Sequence, residues 1–327
     1  MCRNCFPIAY QVFYVVVPTI CIIGNSLIVY VTIRTKRLRS PSHICIALLS
    51  GAEILQMLGE YVTVIADNVG KDHYIPSNIC VYLQSGPIFG MTFASTLLTT
   101  IAFDRLMSLQ SFYNRLVEEY RVYYIIFKTL PAITFATALQ IIIFNNNASK
   151  EPVFCVITSG MTGPSFEYFH HFGVAFTILT LLFYVIFLVL FKKLQIGDAV
   201  TRTVQRSLMI NSMTVISGRL CTYFVVLCAP LVNVDIYDVG VSLLAGVFID
   251  TTCAVNFFVY YFTSSEYRNA IRRCLSTSFI MKRCCSKDYT VDGRIGDAKY
   301  GVTNAGVIME ALEEVFAHRI FLLPTFI

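Results

Sequence analysis

Seven long apolar stretches run through this chain of 327 residues and limit what it can fold into. Each is about as long as the ~20 residues that a helix needs to cross a hydrocarbon layer of ~30 Å. The chain is 56% hydrophobic and only 14% charged, too little charge to cover the surface of a soluble protein of this size. We therefore predict an all-α membrane protein, a seven-helix bundle with spans at roughly residues 6–33, 44–66, 79–109, 122–144, 169–191, 203–232 and 238–262.

The lysines and arginines of the connecting loops predict how the bundle is oriented. The first loop carries four of them between Arg34 and Arg39, whereas Arg3, Lys71 and Lys150 stand on the opposite side. Because the basic side faces the cytoplasm, the N-terminus is expected outside and the C-terminus inside. The lead before the first span is too short for a cleaved signal, so that span is expected to act as an uncleaved anchor.

The seven spans and a short helix after them form one receptor domain, residues 1–275, followed by a cytoplasmic tail over 276–327. Residues 265–275 predict an amphipathic helix that lies along the membrane surface. Its arginines are expected to face the lipid headgroups, while Tyr267, Ile271 and Leu275 face the lipid. The tail is polar and interrupted by glycines, so we expect it to be mostly disordered.

Two cysteines lie on the predicted outer face of the bundle. Cys80 begins the third span and Cys155 follows the fourth. The outer side is oxidising, so this pair could close a disulfide that holds the intervening loop over the bundle. Cys2 and Cys5 also fall on that side, and the sequence does not assign their state.

Several residues are candidates for covalent modification. Asn147 begins an Asn-Ala-Ser sequon in the predicted outer loop after the fourth span, a glycosylation acceptor pattern. On the inner side, Cys274, Cys284 and Cys285 are candidates for palmitoylation. The alternative for these three cysteines is an unmodified thiol in a reducing compartment.

Some classes of function are not expected. The basic residues lie beside the spans and form no independent basic face, which argues against nucleic-acid binding. The sequence offers no nucleophile–base pair and no cluster with metal-ligand spacing, so neither an enzyme nor a metal site is predicted. The partners to expect are membrane lipids and whatever the bundle recognises on either side.

A set of spaced landmarks carries a resemblance to a known family. Asn25 follows a glycine in the first span, and Glu53 lies in the second. Arg105 lies 25 positions after Cys80 in the third span, and Asn256-Phe-Phe-Val-Tyr260 ends the seventh. In this order and spacing, the chain resembles the rhodopsin-like G-protein-coupled receptors, most closely the nematode chemosensory serpentine receptors of the srsx type.

The resemblance covers about residues 6–275 and has several departures. The chain has no tryptophan, so the usual tryptophans of spans four and six are missing. Phe257 stands where the span-seven motif has proline, and Leu106 where the Asp-Arg-Tyr motif has tyrosine. Pro87 occupies the place where amine receptors have aspartate, so a monoamine ligand is not expected.

The resemblance implies a chemosensory receptor that converts the binding of an external small molecule into activation of a heterotrimeric G protein. It implies a multi-pass protein of the plasma membrane, with the sensory cilium as one place to look. Two alternatives stay open. One is a rhodopsin-like receptor for neuropeptides; the other is a seven-span channel or transporter, against which the lack of an internal repeat argues.

The Asp104-Arg105 step at the inner end of the third span is the predicted switch. Arg105 is expected to be held at rest by Asp104 and by acceptors on span six, with Thr203 and Ser207 as candidates. Its release would expose it to the helix C-terminus of a partner, whose carbonyls carry partial negative charge. The alternative is that Arg105 only reaches the lipid headgroups. The resemblance adds two further residues to the coupling site, Asn256 and Tyr260.

Glu53 is an ionisable residue in the middle of a span, where such residues are rare and costly. It is expected to face the bundle interior, with Asn25 and Asn256 as hydrogen-bond partners. The resemblance implies a sodium ion here. A protonated acid, favoured by burial, and a purely structural polar cluster are the alternatives.

Two further charges inside spans, Arg219 and Asp250, are expected in the outer half of the bundle, where they can pair with each other. Glu60 lies two helical turns beyond Glu53 and is expected to reach the same cavity. A ligand that competes for this pair is one interpretation, and an interhelical salt bridge is the other. The remaining candidates for the pocket are polar and apolar side chains at helical spacing: Gln84, Met91, Thr92, Tyr223 and Phe248.

Overall fold

The computed structural model describes residues 7–70, 73–110, 113–146, 151–159, 161, 164–194, 199–234 and 239–285. Within these ranges the chain forms nine α-helices and one pair of two-residue strands. The helices are α1 Ile8–Arg34, α2 Pro41–Val69, α3 Ser77–Met107, α4 Tyr113–Glu119, α5 Arg121–Asn146, α6 Pro164–Leu194, α7 Ala199–Cys228, α8 Val239–Thr263 and α9 Ser265–Cys285. The strands are β1 Ile75–Pro76 and β2 Pro152–Val153.

Seven of these helices, α1, α2, α3, α5, α6, α7 and α8, are long and apolar enough to cross a membrane. The predicted seven-helix bundle is therefore confirmed. The ends of the helices differ from prediction by a few residues in most cases. The largest difference at a start is in α6, which begins at Pro164 rather than near residue 169. The short helix α4, between spans three and four, was not predicted.

Helix α3 lies at the centre of the bundle. It packs against α2, α5, α6 and α7, while α1 joins α2 to α8 and α8 packs on α7. The close contact between α2 and α3 depends on Gly90, since a Cβ atom there would lie 2.6 Å from the carbonyl oxygen of Ala52. The apolar side chains on the other face of the outer helices point away from the bundle: Phe127 is 71% exposed and Ile178 60%. This is the pattern of a bundle whose outer surface meets lipid.

The start of α2 follows from two residues. The Ser40 side chain accepts a hydrogen bond from the His43 backbone N–H, and Pro41 occupies the first turn, where a missing N–H costs nothing. The guanidinium of Arg39 donates to the Ile33 carbonyl at the end of α1, at 2.7 and 3.1 Å. These contacts fix a short turn between the first two spans.

One end of the bundle is closed by the segment that follows α5. Cys155 in this segment is joined by a disulfide to Cys80, near the start of α3. The strands β1 and β2 pair antiparallel beside it, with Ile75 opposite Val153. We call this the disulfide end of the bundle, and the opposite end, where α3 carries its Asp-Arg step, the Asp104 end. The sequon at Asn147 lies outside the described residues.

Helix α9 differs from the prediction in extent and in the face that it buries. It continues to Cys285 instead of ending at residue 275. Tyr267 and Ile271 do not face lipid: both are fully buried against the bundle, and the Tyr267 ring lies 5.5 Å from the rings of Tyr260 and His43. The prediction for these two side chains was therefore wrong, because the α9 stripe packs on α8 and α2 before any lipid can reach it.

The compact unit that contains the bundle ends at Arg272, and a second unit begins at Arg273. Of the second unit, the structure describes the remainder of α9. Cys274 lies there with a free thiol. The side chains of Cys284 and Cys285, the other two palmitoylation candidates, and the tail after Cys285 lie outside the described part.

Candidate functional site

The carboxylate of Asp104 is the centre of a buried polar cluster at the Asp104 end. Its Oδ2 accepts a hydrogen bond from Arg105 Nη2 at 2.8 Å. Its Oδ1 accepts from the Tyr113 hydroxyl at 3.0 Å and from the Tyr124 hydroxyl, and it forms an ion pair with Lys128. We call these five residues the Asp104 cluster. It joins α3 to α4 and α5, so any movement of α3 at this end must rearrange it.

Arg105 has a second partner, on α2. Its Nη2 donates to Ser42 Oγ at 2.6 Å, and the residue is only 7% exposed. A buried guanidinium that is held by a carboxylate and a hydroxyl is not reaching out to headgroups, so the snorkelling alternative does not describe this structure. The side chains of Thr203 and Ser207, the predicted acceptors on span six, lie outside the described part of the chain.

Lys128 was missed by the sequence analysis. It is a cation within the apolar stretch of the fourth span, only 6% exposed, and its Nζ also lies 4.5 Å from the centre of the Tyr124 ring. Its presence in an apolar helix was itself a signal, because an ionisable residue inside a span is expensive without a partner. One carboxylate, Asp104, therefore serves two buried cations, Lys128 and Arg105.

Tyr113 of α4 is a hydrogen-bond donor to the Asp104 carboxylate. Burial and the neighbouring Asp104 charge raise the pKa of the Tyr113 hydroxyl above its ordinary value. A raised pKa keeps the phenol protonated, so the hydroxyl remains available to donate to the carboxylate. The edge-to-face contact of its ring with Tyr124, at 6.0 Å between ring centres, holds the donor in place.

Glu53 lies at mid-bundle with the two predicted partners. Asn25 Nδ2 donates to Glu53 Oε2 at 2.9 Å, and Asn256 Nδ2 lies 2.8 and 2.7 Å from the two carboxylate oxygens. All three side chains are at most 2% exposed, so the set joins α1, α2 and α8 in the interior. The side-chain oxygens of both asparagines, and the buried Ser50 hydroxyl, have no hydrogen-bond partner. This leaves unused oxygen atoms around a carboxylate.

Tyr260, the last residue of the predicted span-seven motif, is 2% exposed. Its ring contacts Tyr267 of α9, and the Tyr267 hydroxyl lies 3.3 Å from that of Thr32 in α1. The motif thus connects the Glu53 set, through Asn256, with the helix that follows the bundle.

A cavity of about 140 Å³ lies between α2, α3, α6, α7 and α8, toward the disulfide end. Five of the predicted pocket residues line it: Glu60, Met91, Arg219, Tyr223 and Asp250. Other lining residues were not predicted for the pocket, namely Tyr14, Gln56, Phe166, Phe169, His170 and Thr222. Residues Val156, Ile157 and Thr158, next to the disulfide, also line this cavity.

Three predicted pocket residues do not line this cavity. Gln84 is buried and donates from Nε2 to the Gly59 carbonyl of α2 at 3.1 Å. The Thr92 hydroxyl is satisfied by its own helix, donating to Ile88 at 2.8 Å. The backbone carbonyl of Phe248 lies against α7, where it would be 3.0 Å from a Cβ at Gly218. Helical spacing predicted that these residues line the pocket, but it does not show which inward-facing side chains bond to their own or a neighbouring helix instead.

The predicted pairing of Arg219 with Asp250 is wrong, since no ion pair joins these two described residues. Within the described part of the chain, Arg219 forms no ion pair with Glu53 either, although the two residues line one cavity. A narrow cavity of about 50 Å³ is lined by both Glu53 and Arg219, and it shares Gln56, Met91 and other residues with the larger cavity. The two cavities are therefore adjacent, and the narrow one reaches Glu53.

A cavity of about 630 Å³ lies beside the Asp104 cluster between α3, α5 and α6. Its walls are mostly aromatic and apolar, and several are open to the outside of the bundle: Tyr123 is 75% exposed and Phe127 71%. We interpret it as a groove on the surface that meets lipid rather than as part of the bundle interior.

The family model of the serpentine type 7TM GPCR chemoreceptor Srsx matches residues 18–275. A comparison with curated proteins found no match. The matched range contains all seven candidate spans apart from the first ten residues of α1, and it contains both ends of the candidate site. The chain belongs to the Srsx family of serpentine chemoreceptors, a family of receptors and not of enzymes.

Proposed function

We propose that this Srsx chemoreceptor binds an external small molecule in the disulfide-end cavity and activates a heterotrimeric G protein at its Asp104 end. In this proposal the disulfide end faces outward and the Asp104 end faces the cytoplasm, as the loop arginines indicate. The protein then resides in the plasma membrane, with the sensory cilium as one candidate location. The family supports the receptor role, and the direction of the signal follows from the orientation that the loop arginines predict.

The observation that carries the proposal is the closed Asp104 cluster. Arg105 is buried, and its held guanidinium ties α3 to α2 through Ser42. A hydrogen bond to a charged group is worth roughly 1.5–3 kcal/mol. A rearrangement of the bundle on ligand binding can supply an energy of this size, since couplings between distant sites are typically about 1–3 kcal/mol. The freed guanidinium can then donate to the carbonyls at a partner's helix C-terminus.

The size of the cavity favours a small molecule over a peptide. Its volume of about 140 Å³ is below the roughly 300–1,000 Å³ of pockets that take drug-sized ligands. The segment that carries Cys155 contributes Val156 to Thr158 to the lining, so the disulfide holds part of the wall in place. A peptide would need a wider vestibule than these residues leave.

The Glu53 set fits a small cation, and we propose sodium as its occupant. A carboxylate with amide and hydroxyl oxygens nearby is a donor set of hard oxygens, which suits an alkali or alkaline-earth ion. The unpartnered oxygens of Asn25, Ser50 and Asn256 would gain a ligand from such an ion. The narrow cavity next to the proposed ligand cavity is lined by Glu53, which supports a role in which an ion at this set biases the bundle toward one state.

The test is G-protein activation by an Arg105→Ala variant in reporter cells, after a screen of volatile, water-soluble and peptide cues on the wild type. We expect Arg105→Ala to reach the surface and to lose the response, because the group that contacts the G protein is gone. Arg115→Ala is the matched control: it removes an exposed arginine of α4 and should respond like the wild type. An unaltered response in Arg105→Ala would contradict the proposal, and a current that persists without G proteins would support a channel instead.

A further inference from the structure

Two carboxyl groups face the disulfide-end cavity without an ion-pair partner in the described part of the chain. Glu60 of α2 is 7% exposed and Asp250 of α8 is 1% exposed, and both line the cavity. Tyr14 of α1 lines the same cavity. Neither forms an ion pair within the described residues, and Asp250 Oδ2 has no hydrogen-bond partner.

The nearby groups that could pair with these carboxyl groups do not do so. Arg219 lines the same cavity but forms no ion pair with Glu60 or Asp250, both described residues, and it also lines the narrow cavity beside Glu53. The Tyr14 hydroxyl donates to the backbone carbonyl of Leu243 at 2.6 Å. Among the described residues that line the cavity, Arg219 is the one lysine or arginine, so the two carboxyl groups have a single cationic side chain in the cavity wall.

Buried carboxylates elsewhere in the same bundle have partners. Asp104 is shared by two cations and two tyrosines, and Glu53 accepts from two asparagines. Asp67 of α2 accepts from Gln11 and pairs with His73 at 3.0 Å. Burying a polar or ionisable group without a partner is costly, yet among the described residues neither Glu60 nor Asp250 has an ion pair, and Asp250 Oδ2 has no hydrogen bond either.

We propose that the disulfide-end cavity recognises small molecules with a protonated nitrogen, an amine or a guanidine, which donates to Glu60 and Asp250. An ammonium group carries three donors and can bridge both carboxylates. The apolar remainder of such a ligand would lie against Met91, Phe166 and Phe169 on the opposite wall. The absence of an aspartate at Pro87 removes one anchor for an amine, and the pair on α2 and α8 supplies another.

This inference rests on the proposed function, in that it takes the cavity to be the receptor's ligand site. It is tested by binding alone, which does not depend on G-protein coupling. The full-length chain is purified in lipid nanodiscs, and its thermal unfolding is followed with 10 mM of each probe. The cationic probes are n-butylamine, phenethylamine and butylguanidine; n-butanol, 2-phenylethanol and butyrate are the neutral and anionic counterparts.

We expect at least one cationic probe to raise Tm by roughly 2–4 °C, as for millimolar binding to a chain of this size, and its uncharged counterpart to raise it by less than half as much. The shift should disappear in Glu60→Gln/Asp250→Asn. It should persist in Asp67→Asn, the matched control, which removes a buried carboxylate of α2 that does not line the cavity.

The proposal is overturned if no cationic probe shifts the wild type, or if alcohols and butyrate shift it as much as the amines. It is also overturned if Glu60→Gln/Asp250→Asn retains the full shift. Should the double variant fail to fold, the charge selectivity of the wild type still decides. Amine binding without any cue-evoked signal would refute the proposed function and leave this inference standing. Signalling by neutral cues that is unchanged in Glu60→Gln/Asp250→Asn would refute this inference and leave the proposed function standing.

Discussion

Replacing Lys128 by methionine should make the receptor harder to activate. In the resting structure Asp104 has two cations, so when Arg105 leaves, Lys128, Tyr113 and Tyr124 still neutralise and solvate the carboxylate. Without Lys128 the release of Arg105 would leave a buried carboxylate with hydroxyl partners alone. Methionine keeps a similar volume and the apolar stem, so the change removes mainly the charge.

The magnitude follows from the interaction that is lost. A hydrogen bond or contact with a charged group is worth roughly 1.5–3 kcal/mol, and leaving a charge buried and unpaired costs about as much or more. If the loss of Lys128 destabilises the state in which Arg105 is released by this amount, and leaves the resting state unchanged, the population of the released state decreases about ten- to a hundredfold. The resting state loses less, because Asp104 keeps Arg105 at 2.8 Å.

The assay is ligand-independent G-protein dissociation, measured by energy transfer between subunits in cells with matched surface expression. We expect basal activation to fall at least tenfold in Lys128→Met, while Lys128→Arg, which keeps the cation, retains most of it. The reasoning would be refuted by basal activity in Lys128→Met equal to or above that of the wild type. That result would mean that Lys128 stabilises the resting state more than the released one.

Three further predictions concern other parts of the bundle. Cys155→Ser should lower Tm by several degrees and weaken the response to any cue, since the disulfide holds part of the cavity wall; equal Tm with and without a reducing agent would argue against this. Replacing sodium by N-methylglucamine in the medium should change cue potency in the wild type but not in Glu53→Gln. A wild-type receptor that is insensitive to sodium would favour a protonated acid or a purely structural set. Gly90→Val should reduce surface expression severely, because its Cβ would meet the Ala52 carbonyl at 2.6 Å, whereas Gly86→Val, with open space around it, should be tolerated; equal expression of the two variants would contradict the packing argument.

The fold was predictable because its determinants are local in the sequence. Each span is a continuous apolar run, and loop arginines and the motif spacing need no knowledge of contacts. The Glu53 set was predictable for a related reason: an ionisable residue in mid-span needs partners, and Asn25 and Asn256 were the polar residues in reach.

The wrong predictions concern which neighbouring helix, or which surface, a side chain faces. Arg219 lines one cavity with Asp250 and another with Glu53, but in the described structure it pairs with neither carboxyl group. Sequence spacing gives the depth of a side chain in the bundle but not the rotation of its helix, which decides whether two charged groups meet. Tyr267 lies on an amphipathic stripe, but the stripe does not reveal whether its apolar face meets lipid or protein. Lys128 was predictable from the sequence as a buried cation with a partner, because it is an ionisable residue inside a span, as Glu53 is.

The central claim is that Asp104 restrains Arg105 and that activation is the loss of this restraint. Ligand-independent G-protein activation by Asp104→Asn, at matched surface expression, tests it most directly. The asparagine keeps the shape of the side chain but removes the charge that holds the guanidinium at 2.8 Å, so basal activation should rise several-fold. Basal activation at or below the wild-type level would contradict the claim, because Arg105 would then be held by something other than this carboxylate.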